Sequence, residues 1–382
     1  MKKLFACFII FLAIAIKSNG QNSFVLEGTV GKYPIVMLLN EYDDNVSVRY
    51  FYKKFRNDIE LDGKIISLKI VADKKGWDTK TKTDALIEQF TLQKSANGTW
   101  TGEWKDAKGT TLSVNLKMID TSQYDFSKIP LSDFDNAAAR VYTKARLAGL
   151  SFVNDSITRS GKYFLQWVHE PVSHIPSFNI IKGFGDEQLN RINAALHAQH
   201  LSIIDNKFSC SGRHGEDGDY EYGINGFYLS DNFISVRASV FWICGGAHPG
   251  NGKEDFTIDT HTGKILELDD ICWFTGKKPL QEKDDRWTDY VDKNGKAICK
   301  LLSDLYPNEM KKPKLASNDD YTCDYSSSAV WEFPSWHFTE KGLYLGATFP
   351  HVTHACDAPE FSIIPYAVLK PYLTKEFKYL VP

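Results

Sequence analysis

Apolar and polar residues alternate with period two through much of the first 120 positions. Phe24, Leu26, Gly28 and Val30 share one phase, followed by Tyr33, Ile35, Met37 and Leu39, then Val46, Val48, Tyr50 and Tyr52; later come Phe90 with Leu92, and Val114, Leu116 and Met118. Such a period marks strands with one buried face, and many short runs of it predict an antiparallel sheet. Turn signals fall at Gly31-Lys32, Asp43-Asp44-Asn45, Asp62-Gly63, Ala96-Asn97-Gly98 and Lys108-Gly109. About seven or eight strands in that length suit a barrel or a sandwich, and a small barrel-like meander fits the even spacing better.

Beyond residue 120 the pattern changes. A polar link with Pro130 covers 121–135. Asn136 to Leu147 then reads as a helix with Asp135 as N-cap, stopped at Gly149. Asp186 is expected to cap a second helix, in which Leu189, Ile192 and Leu196 form an apolar stripe. A third runs from Asp285 to Tyr306 through Trp287, Val291, Ile298, Leu301, Leu302 and Leu305; Pro307 ends it and Gly295 is a weak point. The best strand candidate is Phe233 to Trp242, rich in β-branched and aromatic residues. It runs into the corner Cys244-Gly245-Gly246-Ala247-His248-Pro249, where Pro249 forbids a ladder bond, so His248 is expected at a strand end. Short runs at 255–259 and 264–268 flank Thr260-His261-Thr262-Gly263, a hairpin turn with glycine at the left-handed position. The expected class is α+β: an antiparallel β barrel or sandwich over 21–120, then an α+β domain over 136–382 with an antiparallel sheet and helices.

The first twenty residues read differently again. Lys2 and Lys3 precede an uncharged run from Leu4 to Ile16, and Ser18 and Gly20 are the small residues a signal peptidase needs before Gln21. Export is therefore expected, to a periplasmic or extracellular location. The run is short for a membrane span, and no other long apolar run follows. Removing this segment takes away three lysines and no acid, moving the formal charge from −3 to −6. A mildly acidic exported chain argues against nucleic acid as a partner. Cys210, Cys244, Cys272, Cys299, Cys323 and Cys356 remain, an even number that permits up to three disulfides with open connectivity; all lie beyond residue 200.

Four motifs occur in one order: Gly-Gly-Ala-His-Pro at 245–249; the Thr-Gly-Lys hairpin leading to Leu268-Asp269-Asp270; Phe338-Thr339-Glu340-Lys341-Gly342-Leu343-Tyr344; and Pro359-Glu360-Phe361-Ser362-Ile363-Ile364-Pro365-Tyr366. That order resembles a bacterial envelope domain of unknown function, the C-terminal type found in a lysozyme-sensing anti-sigma factor and in a peptidoglycan deacetylase, and it covers roughly residues 220–375. The resemblance implies a fold and an envelope location. It implies no reaction, because in the deacetylase the chemistry belongs to a separate domain.

Candidate chemistry is sparse. Trp242, Gly245, Gly246 and His248 make the first candidate binding patch, since a histidine at a glycine-rich strand end can donate, accept or ligate within reach of solvent; the structural alternative is that its ring only fixes the corner. His351, His354 and Asp357 are weak candidates for a metal site, and Cys356 beside them reads better as half of a disulfide. His214 with Glu216, Asp217, Asp219 and Glu221 forms an acidic loop that lacks EF-hand spacing. Nucleophile elbows, zinc-protease, phosphate-loop and dinucleotide motifs are missing, and no cofactor is expected. The tryptophans are the remaining signal: Trp273, Trp287, Trp331 and Trp336 join Trp242 in the second half, and such rings either fill cores or make stacking platforms for sugars and anchors for proteins. The reading is an exported envelope binding protein for a peptidoglycan-like glycan or a lysozyme-like protein. The alternatives are a cell-wall hydrolase with a dispersed site around His248 and a structural envelope module.

Overall fold

In the computed structural model the strand-rich half closes on itself. The structure describes residues 22–78, 80–131, 136–212, 218–246, 248–312 and 322–378, with the backbone alone at 77, 78, 351 and 352. The expected export signal, the proposed cap Asp135, and His214, Glu216 and Asp217 lie outside the described residues.

Eight strands, β1 (Asn22–Val30), β2 (Tyr33–Tyr42), β3 (Asn45–Tyr52), β4 (Ile59–Ile66), β5 (Lys69–Asp78), β6 (Thr83–Lys94), β7 (Trp100–Asp106) and β8 (Thr111–Met118), pair in sequence order. The barrel closes where Leu26 to Val30 of β1 meet Met118 to Val114 of β8. The period-two residues are its filling: Leu26, Val30, Ile35, Met37, Leu39, Val48, Tyr50, Phe90, Leu92 and Leu116 are buried together. One carboxylate sits among them. Glu88 accepts hydrogen bonds from Tyr50 Oη at 2.7 Å and Trp104 Nε1 at 2.6 Å, which makes its burial tolerable. Burial, then the Glu88 charge, pushes the Tyr50 hydroxyl well above its ordinary value. The expected turn at Asp62-Gly63 is instead mid-strand. A Cβ on Gly63 would meet the Val71 carbonyl at 2.1 Å, so glycine here permits close strand approach, and the chain turns at Ser67-Leu68.

The chain forms two compact units. The first comprises the barrel and, among the described residues that follow, 136–146, so most of α1 (Ala137–Leu147) belongs with the barrel. Tyr142 donates to Asp58 Oδ1 at 2.7 Å, and Arg146 Nη1 lies 2.5 Å from Asp58 Oδ2, both charged side chains being almost fully buried. That last contact is charge against charge, without hydrogen-bond alignment.

The second unit holds the remaining elements and confirms the α+β class. β9 (Val153–Ser160), β10 (Tyr163–His169) and β11 (Pro176–Lys182) form one antiparallel sheet. α2 (Asp186–Ser209) follows with Gly185, not Asp186, at its cap; Asp186 occupies the first turn, where its charge favours the helix dipole. Its buried stripe includes Ile192, Leu196, Ile203 and Phe208. Asn193 accepts from Ile180 N at 2.8 Å and donates to Ile180 O at 2.9 Å, covering the free edge of β11.

β12 (Asp219–Leu229) lies at one edge of a second sheet against the long β13 (Phe233–Ile243); β15 (Phe256–Asp259) pairs with the first half of β13, β14 (Gly250–Lys253) with its second half, and β16 (Ile265–Leu266) extends β15. Gly263 has φ +74°, as the hairpin reading required. The short α3 (Leu268–Ile271), then α4 (Trp287–Leu305), lead to a third sheet of β17 (Ser335–Phe338), β18 (Gly342–Gly346) and β19 (Ile363–Pro365), followed by α5 (Tyr366–Leu369). Gly295 is not a weak point of α4. A Cβ there would meet the Ser328 carbonyl at 2.7 Å, so glycine lets the 3-10 helix Ser328–Trp331 lie directly on α4.

Two sheets meet through Asp255. Its Oδ1 accepts the Ala238 amide at 3.0 Å, at the point where β13 changes partners, and its Oδ2 accepts from His337 Nδ1 at 2.8 Å. Beside it Phe338 N donates to Ser235 Oγ at 2.9 Å.

Four of the six cysteines pair, as Cys210–Cys244 and Cys323–Cys356. Cys272 and Cys299 stay reduced inside the core, so the count is two disulfides rather than three. No helix among the described residues is long and apolar enough to cross a membrane. The two disulfides fit an exported chain.

Two stability predictions follow from this packing. Asp255→Ala leaves the Ala238 amide and the His337 ring without their acceptor, and should lower unfolding free energy by about 3 kcal/mol in urea titration. His200 is buried, donating from Nε2 to Ile175 O at 2.8 Å, and burial holds its imidazole down at about 4 from 6.5. Between those values the unfolded chain binds the extra proton, so this contribution is complete above pH 6.5 and is lost as pH falls toward 4. At about 1.4 kcal/mol per unit the loss approaches about 3 kcal/mol. Urea unfolding at stepped pH should show His200→Gln losing less stability than wild type across that window.

Candidate functional site

A concavity of about 1070 Å³ lies in the second unit between α3, α4, the segment after the 3-10 helix, and the chain near Thr374. Each wall has a local cause. α3 opens with a reciprocal cap in which the Glu267 side chain accepts the Asp270 amide and Asp270 Oδ2 accepts the Glu267 amide at 2.9 Å. Lys264 Nζ also sits 2.8 Å from both Asp270 oxygens. Those two carboxylates are thereby engaged, while Asp269 between them lines the cleft and, among the described residues, accepts a side-chain hydrogen bond from the Tyr290 hydroxyl alone, at 2.8 Å. Trp273 is fixed over the same turn by its indole N–H, which donates to Asp269 O at 3.0 Å.

α4 supplies Trp287, Tyr290, Val291 and Asn294, positions that share one face of a helix. The same face, continued toward the C-terminal end of the helix, carries Ile298, Leu301 and Leu302 into the core. After the 3-10 helix the chain presents Glu332, Phe333 and Pro334, then Trp336 at the start of β17. Phe333 is 57% exposed, and its ring centroid lies 5.8 Å from that of Trp287. An exposed phenylalanine beside half-buried tryptophans is an apolar surface left open to water.

The electrostatics are one-sided. Burial raises the Asp269 carboxyl above its ordinary value; the Asp270 and Glu267 charges add to this, and the Tyr290 hydrogen bond opposes it. Among the described residues neither Asp269 nor Glu332 has an ion-pair partner. Asn294, 6% exposed, has an Oδ1 with no hydrogen-bond partner. Rings that offer flat apolar faces, with carboxylates and an amide between them, can stack on a saccharide and take its hydroxyl or amino hydrogens.

The expected patch lies elsewhere. Gly245 takes the left-handed conformation at φ +79°, and His248 is exposed in the corner ahead of β14, at a strand end as the Pro249 argument required. Trp242 packs against Gly250 and lines a small cavity with Tyr220 and the Cys210–Cys244 disulfide. None of Trp242, Gly245, Gly246 and His248 lines the aromatic cleft. His354 and Asp357 share a separate cavity of about 460 Å³ with Lys253. Asp357 Oδ1 is used structurally, accepting the Phe349 amide at 2.6 Å, and the His351 side chain lies outside the described residues. Among the described residues no three His, Cys, Asp or Glu groups converge as a metal site. Of the tryptophans singled out in the sequence, Trp273, Trp287 and Trp336 come together, while Trp331 is fully buried. Asp269, Tyr290, Asn294 and Phe333 were not candidates; the spacing of Trp287, Tyr290, Val291 and Asn294 was the available signal.

No family model matches this chain, and no curated protein does. Among solved structures, the crystal structure of a DUF3298 family protein from Pseudomonas aeruginosa PAO1 is similar at 15% identity and a TM-score of 0.26, over 59% of this chain and 95% of that chain.

Removing the opposing hydrogen bond in Tyr290→Phe should raise the Asp269 carboxyl further above the usual range. Carboxyl-carbon NMR titration of wild type and variant reads this directly, and an unchanged or lowered value would contradict the arrangement.

Proposed function

We propose that the protein is an exported cell-envelope binding protein whose aromatic cleft takes a glycan. The observation that carries this reading is the convergence of Trp273, Trp287, Trp336 and the exposed Phe333 on one concavity with unpaired carboxylates. Two disulfides support export, as does the signal-like sequence at 1–20. The ordered motifs of the anti-sigma-factor C-terminal type support an envelope setting. A hydrolase centred on His248 has less behind it, because that side chain is exposed at a corner and lines no part of the cleft.

Phe333→Ala and Trp287→Ala should each weaken binding of cell-wall oligosaccharides by about tenfold, the scale of one lost stacking contact. Isothermal titration with purified peptidoglycan fragments and chito-oligosaccharides measures this. Phe333→Ala should leave the melting temperature nearly unchanged, since the ring is mostly exposed. Wild-type protein that binds none of these sugars would defeat the reading.

A further inference from the structure

Resting on the glycan reading, we infer that the cleft selects saccharides with free amino groups over their N-acetylated or acidic counterparts. The lining carries Asp269, Glu332 and Glu376 beyond the two acids occupied in the α3 cap, against Lys278 and Lys375. Asp269 is partly buried, and its one hydrogen-bond donor, the Tyr290 hydroxyl, is neutral. Most partly buried carboxylates in folded chains have a cation beside them, because solvation lost on burial must be replaced. Among the described residues no cation lies within ion-pair distance of Asp269, although Lys278 and Lys375 share the lining. The walls opposite are aromatic, and a ring face attracts an ammonium group as well as a sugar face. Asn294, more than nine-tenths buried with an unpartnered Oδ1, adds a polar group to the same wall. An amino sugar meets all of these demands, with a flat C–H face for a ring, an ammonium for the carboxylates and hydroxyls for the amide. An N-acetyl sugar meets the first and last alone. An acidic sugar is repelled.

The test compares a glucosamine tetramer, an N-acetylglucosamine tetramer and tetralysine by isothermal titration near neutral pH. The expected result is at least about tenfold tighter binding of the glucosamine tetramer than of the acetylated one, the scale of one partly desolvated charge pair. That ratio should shrink severalfold in Asp269→Asn, whose Oδ1 still accepts from Tyr290, and in Glu332→Gln. Equal binding of the two sugars would overturn the inference while leaving the glycan reading intact. Binding of neither sugar would overturn both. Tetralysine binding as tightly as the amino sugar would also overturn it, because charge alone would then suffice.

Discussion

One carboxylate holds the second unit together. β13 has β12 along one edge, but on its other edge it changes partners, from β15 to β14, near Arg237 and Ala238. A change of partner leaves a backbone amide without a ladder acceptor, and a buried unpaired amide costs as much as several good contacts return. Asp255, in the link between β14 and β15, supplies the acceptor for Ala238 and uses its second oxygen on His337 of the third sheet. The ring of His337 in turn stacks on Tyr344 with centroids 4.5 Å apart. The same group therefore closes a defect in one sheet and fixes the neighbouring sheet against it.

The cleft depends on that alignment. Its α3 wall continues from β16, and its Trp336 wall is the start of β17, so the two sheets set the separation of the two walls. Between them α4 uses one face in two stretches, the second half for the core and the first half for the cavity. Ile298, Leu301 and Leu302 pack in the core, while Trp287, Tyr290 and Asn294 turn toward the cavity. Gly295 brings the 3-10 helix close enough for Glu332 and Phe333 to emerge beside Trp287. A side chain at 295 would meet the Ser328 carbonyl and Glu332, pushing that segment off the helix and displacing a residue of the cleft itself.

The barrel solves a different problem by closure. Up-and-down pairing of eight strands with β1 against β8 leaves no open edge, and the filled interior needs no disulfide. Two of its buried carboxylates have partners in place: Glu88 accepts from Tyr50 and Trp104, and Asp58 accepts from Tyr142 and sits against the Arg146 charge. These pairs lie far apart in sequence, Tyr50 and Glu88 by 38 positions and Tyr142 and Asp58 by 84.

Local pattern by itself determined a good deal. Alternation fixed which residues of β1, β2 and β3 face inward, because side chains on a strand can only alternate. Pro249 and Gly263 fixed a strand end and a hairpin, since ring closure and positive φ are properties of single residues. The α+β class followed from the order of those elements. Contacts between distant segments were decided only in the folded chain. Gly63 and Gly295 look like a turn and a weakness in sequence, and are close-approach points because of Val71 and Ser328. Six cysteines allowed three bridges, but Cys272 and Cys299 are buried in the core without a disulfide. The tryptophans were visible as a class, yet nothing local distinguishes Trp331, which fills the core, from Trp336, which lines the cleft. In sequence Asp269 is one member of the Leu268-Asp269-Asp270 motif, with nothing local to set it apart from its acidic neighbours. Its role emerges because Glu267 and Asp270 are consumed by the α3 cap, and because Tyr290, 21 residues away, is brought to its side.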